Sequence, residues 1–366
     1  MSISEVTKPV PATSEGLRQL LEILIARKGS DLHLTAGAPP VVRVHGILER
    51  LDEFDRLEPP VLQAMLYSIL TQRQSDRLEE DLELDLSYSL PDIARFRVNI
   101  YFQKDAMGAA FRLIPVEILS LEQLGLPEQL SIFTKMQRGL VLVTGPTGQG
   151  KTTTLASLID IINVERACHI VTIEDPIEFL HQHRRSIINQ REVGSDTHSF
   201  AGALRHVLRQ DPDVILVGEM RDLETMAIAL SAAETGHLVL ATLHTQDAAQ
   251  TVDRIIDVFP PNQQEQIRVQ LSGSLQGIVT QQLLTTREGD GRVPATEVLF
   301  ATPAVRNLIR EAKTYQIYSV LQSGAKHGMQ TMDQSLANLV RRGKIAYETA
   351  LDRCHDIQGI KQLLGG

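Results

Sequence analysis

Residues Gly145-Pro146-Thr147-Gly148-Gln149-Gly150-Lys151-Thr152 fit the pattern G-x-x-x-x-G-K-[ST], and their neighbours give that pattern a mechanism. Before the run stands Leu140-Val141-Leu142-Val143-Thr144, a continuous apolar stretch of the kind buried on both faces in a parallel sheet. After it, Thr152 to Asn163 carry Leu155, Leu158, Ile159 and Ile162 at helical spacing. The order is strand, glycine loop, helix. Backbone N–H groups of such a loop, with the helix N-terminus, form a concavity of partial positive charge that suits a polyphosphate. Gly145 to Thr153 are therefore the candidate nucleotide-binding residues, with Lys151 reaching the β/γ-phosphates and the Thr152 hydroxyl ligating Mg²⁺. ATP and Mg²⁺ are the expected ligands. The bland alternative is a glycine-rich turn between core elements.

Length and composition set the outer limits. At 366 residues, 43% of them hydrophobic, the chain has material for two or three domains. A net charge of -9 gives no global positive field to draw it to nucleic acid. No apolar run approaches the roughly 18 residues of a spanning helix, and the N-terminus, with Glu5, Lys8, Pro9 and Pro11, lacks a signal-peptide core. A cytoplasmic address without membrane insertion follows. Cys168 and Cys354 lie far apart in sequence and form no C-x-x-C pair, which argues against structural zinc.

Organisation changes near residue 120. Residues 1–13, rich in Ser, Thr and Pro, read as a flexible leader, and Ser14 to Lys28 as a helix with Leu17, Leu20, Leu21, Leu24 and Ile25 on one stripe. Strands are expected at Asp31 to Leu34, Val41 to Val44, Ile47 to Leu51, Leu84 to Ser89, Arg95 to Phe102 and Met107 to Leu113, with helices from Pro60 to Leu70 and Gln74 to Asp81. Short local connections make residues 14–115 an α+β module with an antiparallel sheet. Residues 116–126 read as a linker. From Pro127 to the end, helices alternate with apolar strands, which implies an α/β domain with a parallel sheet.

The second half carries the candidate chemistry. His169-Ile170-Val171-Thr172-Ile173 reads as a strand ending in Glu174-Asp175-Pro176-Ile177-Glu178, and ligands bind at the carboxyl ends of such strands. A third strand, Val214 to Val217, runs into Gly218-Glu219-Met220-Arg221-Asp222, and a fourth, Leu238 to Leu243, ends at His244. A common NTPase arrangement places Asp before Glu after the apolar strand, the Asp supporting Mg²⁺ and the Glu orienting the attacking water. Here Gly218 replaces that Asp, so Glu219 is the candidate base and Glu174 or Asp175 the source of second-shell support for Mg²⁺. His244 is placed to sense the γ-phosphate, and His237, before the same strand, to tie the loop below. A lone strand-end His is also a common structural residue.

Several ordered motifs then carry a family resemblance. Leu208 to Asp222 resembles the signature of the secretion ATPase superfamily that powers type II secretion and type IV pili. Ile173 to Glu178 resembles its Asp box and Gly236 to Thr245 its His box. Ala304-Val305-Arg306-Asn307-Leu308-Ile309-Arg310-Glu311, followed by Gly328 to Asp333, is similar to the C-terminal motif of the PilT-type, pilus-retraction branch. The resemblance spans about Leu17 to Leu351. Two positions depart from it: Gln149 stands where the family usually has Ser, and Val305 where it has Ile.

The resemblance implies a RecA-like P-loop NTPase core preceded by a smaller PAS-like domain, assembled as a homohexamer. ATP hydrolysis by the ring would drive retraction of type IV pili and twitching motility, through an inner-membrane pilus platform protein (PilC-like) and with or without a PilT-like paralogue. The chain would then associate peripherally with the inner membrane at the pilus base. It also implies that Arg95, Arg97 and Arg112 reach the phosphates; period-2 geometry puts Arg95, Arg97 and Asn99 on one strand face. Lys151, Glu174, Glu219, His244 and these arginines form the catalytic set. Arg306 and Arg310, on one face of a helix, are expected to couple turnover to retraction. Pilus-extension and type II secretion ATPases usually carry a tetracysteine zinc insertion that two cysteines cannot supply. An accessory paralogue working by partner binding sits poorly with intact Lys151, Glu174 and Glu219, and a DNA motor with the acidic balance and 4% aromatic residues.

Overall fold

The computed structural model describes residues 8–91, 93–115, 117–289 and 291–365, and all counts refer to these. The chain divides into two compact units, Met1–Val116 and Glu117–Gly366. In the first, six strands lie in the order β3-β2-β1-β6-β5-β4. They are β1 (Asp31–Thr35), β2 (Val41–Val44), β3 (Ile47–Arg50), β4 (Glu83–Leu90), β5 (Ala94–Gln103) and β6 (Ala106–Ile114), and every pairing is antiparallel. Helix Ser14–Ala26 buries Leu17, Leu20, Leu21 and Leu24, the stripe that its spacing predicts. Along β5, Phe96, Val98 and Ile100 are fully buried while Arg95, Arg97 and Asn99 take the other face.

Two expectations about connecting segments need correction. Residues 1–7 of the expected leader lie outside the described residues, but its remainder is docked rather than loose. Lys8 N–H donates to Glu53 O at 2.9 Å, Asp55 N–H donates to Lys8 O at 2.9 Å, and Val10 is buried in the first unit's core. In the expected linker, Leu121 and Leu126 pack into the core of the second unit. Ser, Thr and Pro content marks the first segment as irregular, and irregular backbone still buries an apolar side chain wherever the core offers a place.

The second unit is built on a seven-stranded sheet in the order β13-β12-β7-β11-β10-β8-β9. The strands are β7 (Gly139–Thr144), β8 (His169–Glu174), β9 (Ile187–Glu192), β10 (Val214–Val217), β11 (Leu238–Leu243), β12 (Leu275–Thr285) and β13 (Arg292–Phe300). All neighbours run parallel except β13, which pairs antiparallel with β12 at the edge. β7, β10 and β11 are buried at every position, as strands covered on both faces must be. Register brings the strand ends level: Thr144 lies opposite both Leu243 and Thr280, and Val217 opposite Ala241 and Ile173. Whatever follows β7, β8, β10 and β11 therefore meets on one edge.

Gly218, the residue in place of the expected Asp, is set by this crowding. Its N–H donates to Ile173 O at 2.8 Å, and a Cβ added to it would lie 3.1 Å from that oxygen and 3.3 Å from Glu174 Cα. A side chain there must push β8 away. Gly218→Asp should therefore fail to restore a second acid and should destabilise the fold by about 1–3 kcal/mol, measured by denaturant unfolding.

At the opposite end of the sheet order, Glu297 on β13 is buried beneath two helix N-termini. Its carboxylate accepts from Ala248 N–H at 2.9 Å, the first residue of helix Ala248–Asp257, and from the backbone of Met332, the first of helix Met332–Arg341. Burial outweighs those donors and, with Asp247 and Asp333 nearby, pushes its pKa up to about 7. The folded state then holds a proton that the unfolded chain has released, so this contribution to stability is complete below the ordinary glutamate pKa and lost as pH rises through about 7. Glu297→Gln should remove that slope. Relative to wild type, it should gain about 3 kcal/mol between pH 4 and pH 8, read from unfolding midpoints across pH.

Candidate nucleotide site

The loop Gly145–Gly150 leaves β7 and enters helix Lys151–Glu165, with Gly150 capping the helix in the left-handed region at φ 80°. Only glycine takes that conformation without cost. Pro146, Thr147 and Gly148 are exposed, whereas Gln149, Gly150, Thr152 and Thr153 are half-buried. Lys151 is buried, and its ammonium donates to Gly145 O at 2.7 Å and Pro146 O at 2.9 Å. Burial pulls its pKa down, and the charges of Glu219 and Glu178 work against that.

A polar chain leads away from this ammonium. Lys151 Nζ lies 3.5 Å from His244 Nδ1, and His244 Nε2 lies 2.8 Å from Glu219 Oε1. A His244 that donates Nε2–H to the carboxylate leaves Nδ1 as an acceptor facing the lysine. Arg221 Nε lies 2.7 Å from the same Glu219 oxygen. Burial alone would raise the Glu219 pKa, but the hydrogen bond and charge of Arg221, with the hydrogen bond of His244, outweigh it and hold the carboxyl below its usual range. Lys151, His244 and Glu219, three residues chosen from separate stretches of sequence, are thus brought together. Arg221 joins them, and the sequence reading assigned it no role.

The acidic residues after β8 separate into different surroundings. Glu174 is buried and accepts from Thr172 Oγ1 at 2.5 Å and Gln190 Nε2 at 3.1 Å, and its burial pushes the pKa up. It belongs to a network with β9 rather than to the Lys151–His244–Glu219 chain. Asp175, before the cis peptide to Pro176, is exposed, and its charge acts on Arg221. Glu178 is exposed, and its charge acts on Lys151 and Glu174. Asp222 caps helix Leu223–Glu234 by accepting from Thr225 N–H at 2.8 Å. His237 sits at the opposite end of β11, its ring Nδ1 3.0 Å from Ala232 O, where it ties the strand's start.

In the first unit, Arg97 and Arg112 are cross-strand neighbours on β5 and β6, and both are exposed. Arg112 Nε donates to Asp31 Oδ1 at 2.8 Å, while Arg95 is half-buried. In the C-terminal motif, Arg306 and Arg310 do different jobs. Arg306 donates to Ser272 O at 2.6 Å and Gly273 O at 2.9 Å, closing the end of helix Pro261–Ser274, and to Ala301 O at 2.9 Å. Arg310 stays on the surface with Asn307.

No helix among the described residues is long and apolar enough to cross a membrane. Residues 17–352 match the family model of the type II/IV secretion system proteins. The type IV pilus retraction ATPase PilT of Pseudomonas aeruginosa is 50% identical over 337 residues, covering 92% of this chain and 97% of that protein. A twitching motility protein of Neisseria gonorrhoeae is 50% identical, covering 92% of each. A crystal structure of the pilus retraction motor PilT with bound ADP superposes with a TM-score of 0.87 at 49% identity, covering 94% of this chain and 98% of that one. Sequence and fold agree across nearly the whole length, and the chain belongs to the type II/IV secretion system protein family.

Proposed function

We propose that this chain is an ATP-hydrolysing motor subunit that retracts type IV pilus fibres and so powers twitching motility, working as a homohexameric ring. The observation that carries the reading is the chain Lys151–His244–Glu219 at the head of the phosphate loop, in a protein half identical to PilT over almost its full length. ATP sits with its phosphates on the N–H groups of Gly145 to Thr153. Lys151 exchanges its two loop carbonyls for phosphate oxygens on binding, so a buried cation keeps partners throughout. Glu219 remains ionised at neutral pH because Arg221 and His244 hold its pKa down, and an ionised carboxylate is what orienting and deprotonating a water requires.

The residues present fit a Mg²⁺ ion. Thr152 offers a hydroxyl on the first turn of the helix and Asp175 an exposed carboxylate, hard oxygen donors of the type that Mg²⁺ takes alongside phosphate and water. Bound there with ATP, the ion supplies charge neutralisation on the phosphates. Buried Glu174, tied to Thr172 and Gln190, fixes the end of β8 from which Asp175 projects. Arg95, Arg97 and Arg112 present the first unit's cations for developing phosphoryl charge. Arg306 binds helix Pro303–Arg310 to the end of helix Pro261–Ser274, so the two move as one piece and transmit a stroke to a membrane-embedded platform protein at the pilus base.

Glu219→Ala should bind ATP with near-normal affinity yet lose at least about 10²-fold in turnover, the scale of a positioned acid-base group. Lys151→Ala should instead weaken nucleotide binding itself. Phosphate release and equilibrium binding on the purified ring separate these outcomes, and unchanged turnover in Glu219→Ala removes that residue from the mechanism. Since the Glu219 pKa is depressed, kcat should persist as pH falls into the ordinary carboxylate range and drop only below it. Cells lacking the chain should carry abundant pili and fail to move on surfaces; bald cells would overturn retraction in favour of extension.

A further inference from the structure

Gln281 is 3% exposed and lies on β12 one residue past Thr280, the last position that pairs with β7. Its carboxamide is spent beneath the phosphate loop. Nε2 donates to Gln149 O at 2.7 Å, and Oε1 accepts from Thr154 Oγ1 at 2.7 Å. Two loop glycines register how close the approach is: a Cβ on Gly145 would lie 2.4 Å from Gln281 O, and one on Gly150 would lie 2.9 Å from Gln281 Nε2. Gln149 adds a second staple, its Oε1 accepting from Leu283 N–H at 2.5 Å. β7 has ended by then, and the Gln149 carboxamide serves as the acceptor that a longer β7 would have supplied.

We propose that Gln281 is a positioning residue that aims the phosphate loop. The peptide joining Gln149 to Gly150 is planar and trans, so its C=O and its N–H point in opposite directions. Holding the Gln149 carbonyl toward β12 therefore turns the Gly150 N–H away from β12 and into the cradle. The Gln149 carbonyl can only accept, so Nε2 faces it, and the Thr154 hydroxyl, donating to Oε1, holds the carboxamide in that orientation. Neither residue touches phosphate. Gln281 acts through the Gln149–Gly150 peptide, and Thr154 acts through Gln281 and through Gly150 O, 3.2 Å from its hydroxyl; the contacts these peptides make with phosphate are made in the bound ground state and kept in the transition state. The consequence is a loss in affinity with little loss in kcat. This inference rests on the loop being the nucleotide site.

The test uses the full chain and mant-ADP as the probe, with steady-state ATPase kinetics, amide hydrogen exchange and thermal unfolding alongside. Gln281→Met keeps the length of the side chain and removes both hydrogen bonds; Thr154→Val keeps the shape and removes the donor that orients Gln281. Gln281→Met should raise the Kd for mant-ADP and the KM for ATP about tenfold, with kcat within about threefold of wild type. Thr154→Val should shift the same quantities in the same direction by less, and with mant-ADP bound the Gly150 and Lys151 amides should exchange faster in both than in wild type. Kd within about twofold of wild type in both variants overturns the proposal. So does a fall in kcat at unchanged KM, which is how a merely destabilised ring with fewer active subunits behaves. A wild-type protein that does not bind mant-ADP overturns the reading of the loop, and this inference with it.

Discussion

The parallel hydrogen bonding of β7 to β11 on one side and to β12 on the other is what the site depends on. Because Thr144 is level with both Leu243 and Thr280, the loop that leaves β7 has His244 beside it on one flank and Gln281 on the other. A slip of one residue in either pairing would turn every side chain to the opposite face. The full burial of β7, β10 and β11 makes such a slip costly, since it would move none of the apolar residues into water but would break a ladder packed on both faces. The register that the core demands is thus the register that sets the site.

Electrostatics then distinguishes groups of the same chemical type. Glu219 and Glu174 both stand near strand ends and both pay for burial, yet their pKa values move in opposite directions. Glu219 has a guanidinium and an imidazole on one oxygen, and charge partners outweigh desolvation. Glu174 has a hydroxyl and a carboxamide, neutral donors that do not. Two carboxyls whose pKa values are pushed in opposite directions by their surroundings suit different tasks.

Much of this was legible in the sequence, for identifiable reasons. The loop, Lys151, Glu219 and His244 follow uninterrupted apolar strands, and a strand end locates a residue wherever the strand itself is unmistakable. Alternation along β5 gave the correct faces for Arg95 and Arg97. What stayed hidden lay on strands without such a signal. β9 reads Ile-Ile-Asn-Gln-Arg-Glu and β12 carries Gln276, Gln281 and Gln282 among its apolar residues, so neither presents a clean period, and both are strands because neighbours pair with them. With β12 and β13 went Gln281 and Glu297, buried polar residues whose meaning comes only from what they touch. Arg306 is visible on its helix face as a residue expected to couple turnover to retraction, but helix spacing does not show that its guanidinium closes another helix 34 positions away in sequence.

The two flanks of β7 differ in kind, and that difference bears on how a motor would work. On the β12 flank every contact to the loop is a neutral hydrogen bond between fully or partly buried groups: Gln281 to Gln149, Thr154 to Gln281, Leu283 to Gln149. Such contacts hold geometry and are indifferent to the charge of what the loop carries. On the β11 flank the contacts run through a lysine, a histidine and a glutamate, whose strengths change whenever a phosphate charge arrives or leaves. On the proposed reading, a nucleotide at this loop would have neutral contacts on one side and charge-sensitive ones on the other. Loss of a phosphate would be felt first at Lys151 and passed through His244 to Glu219, along β11 and β10, while the cradle itself kept its shape for the next nucleotide.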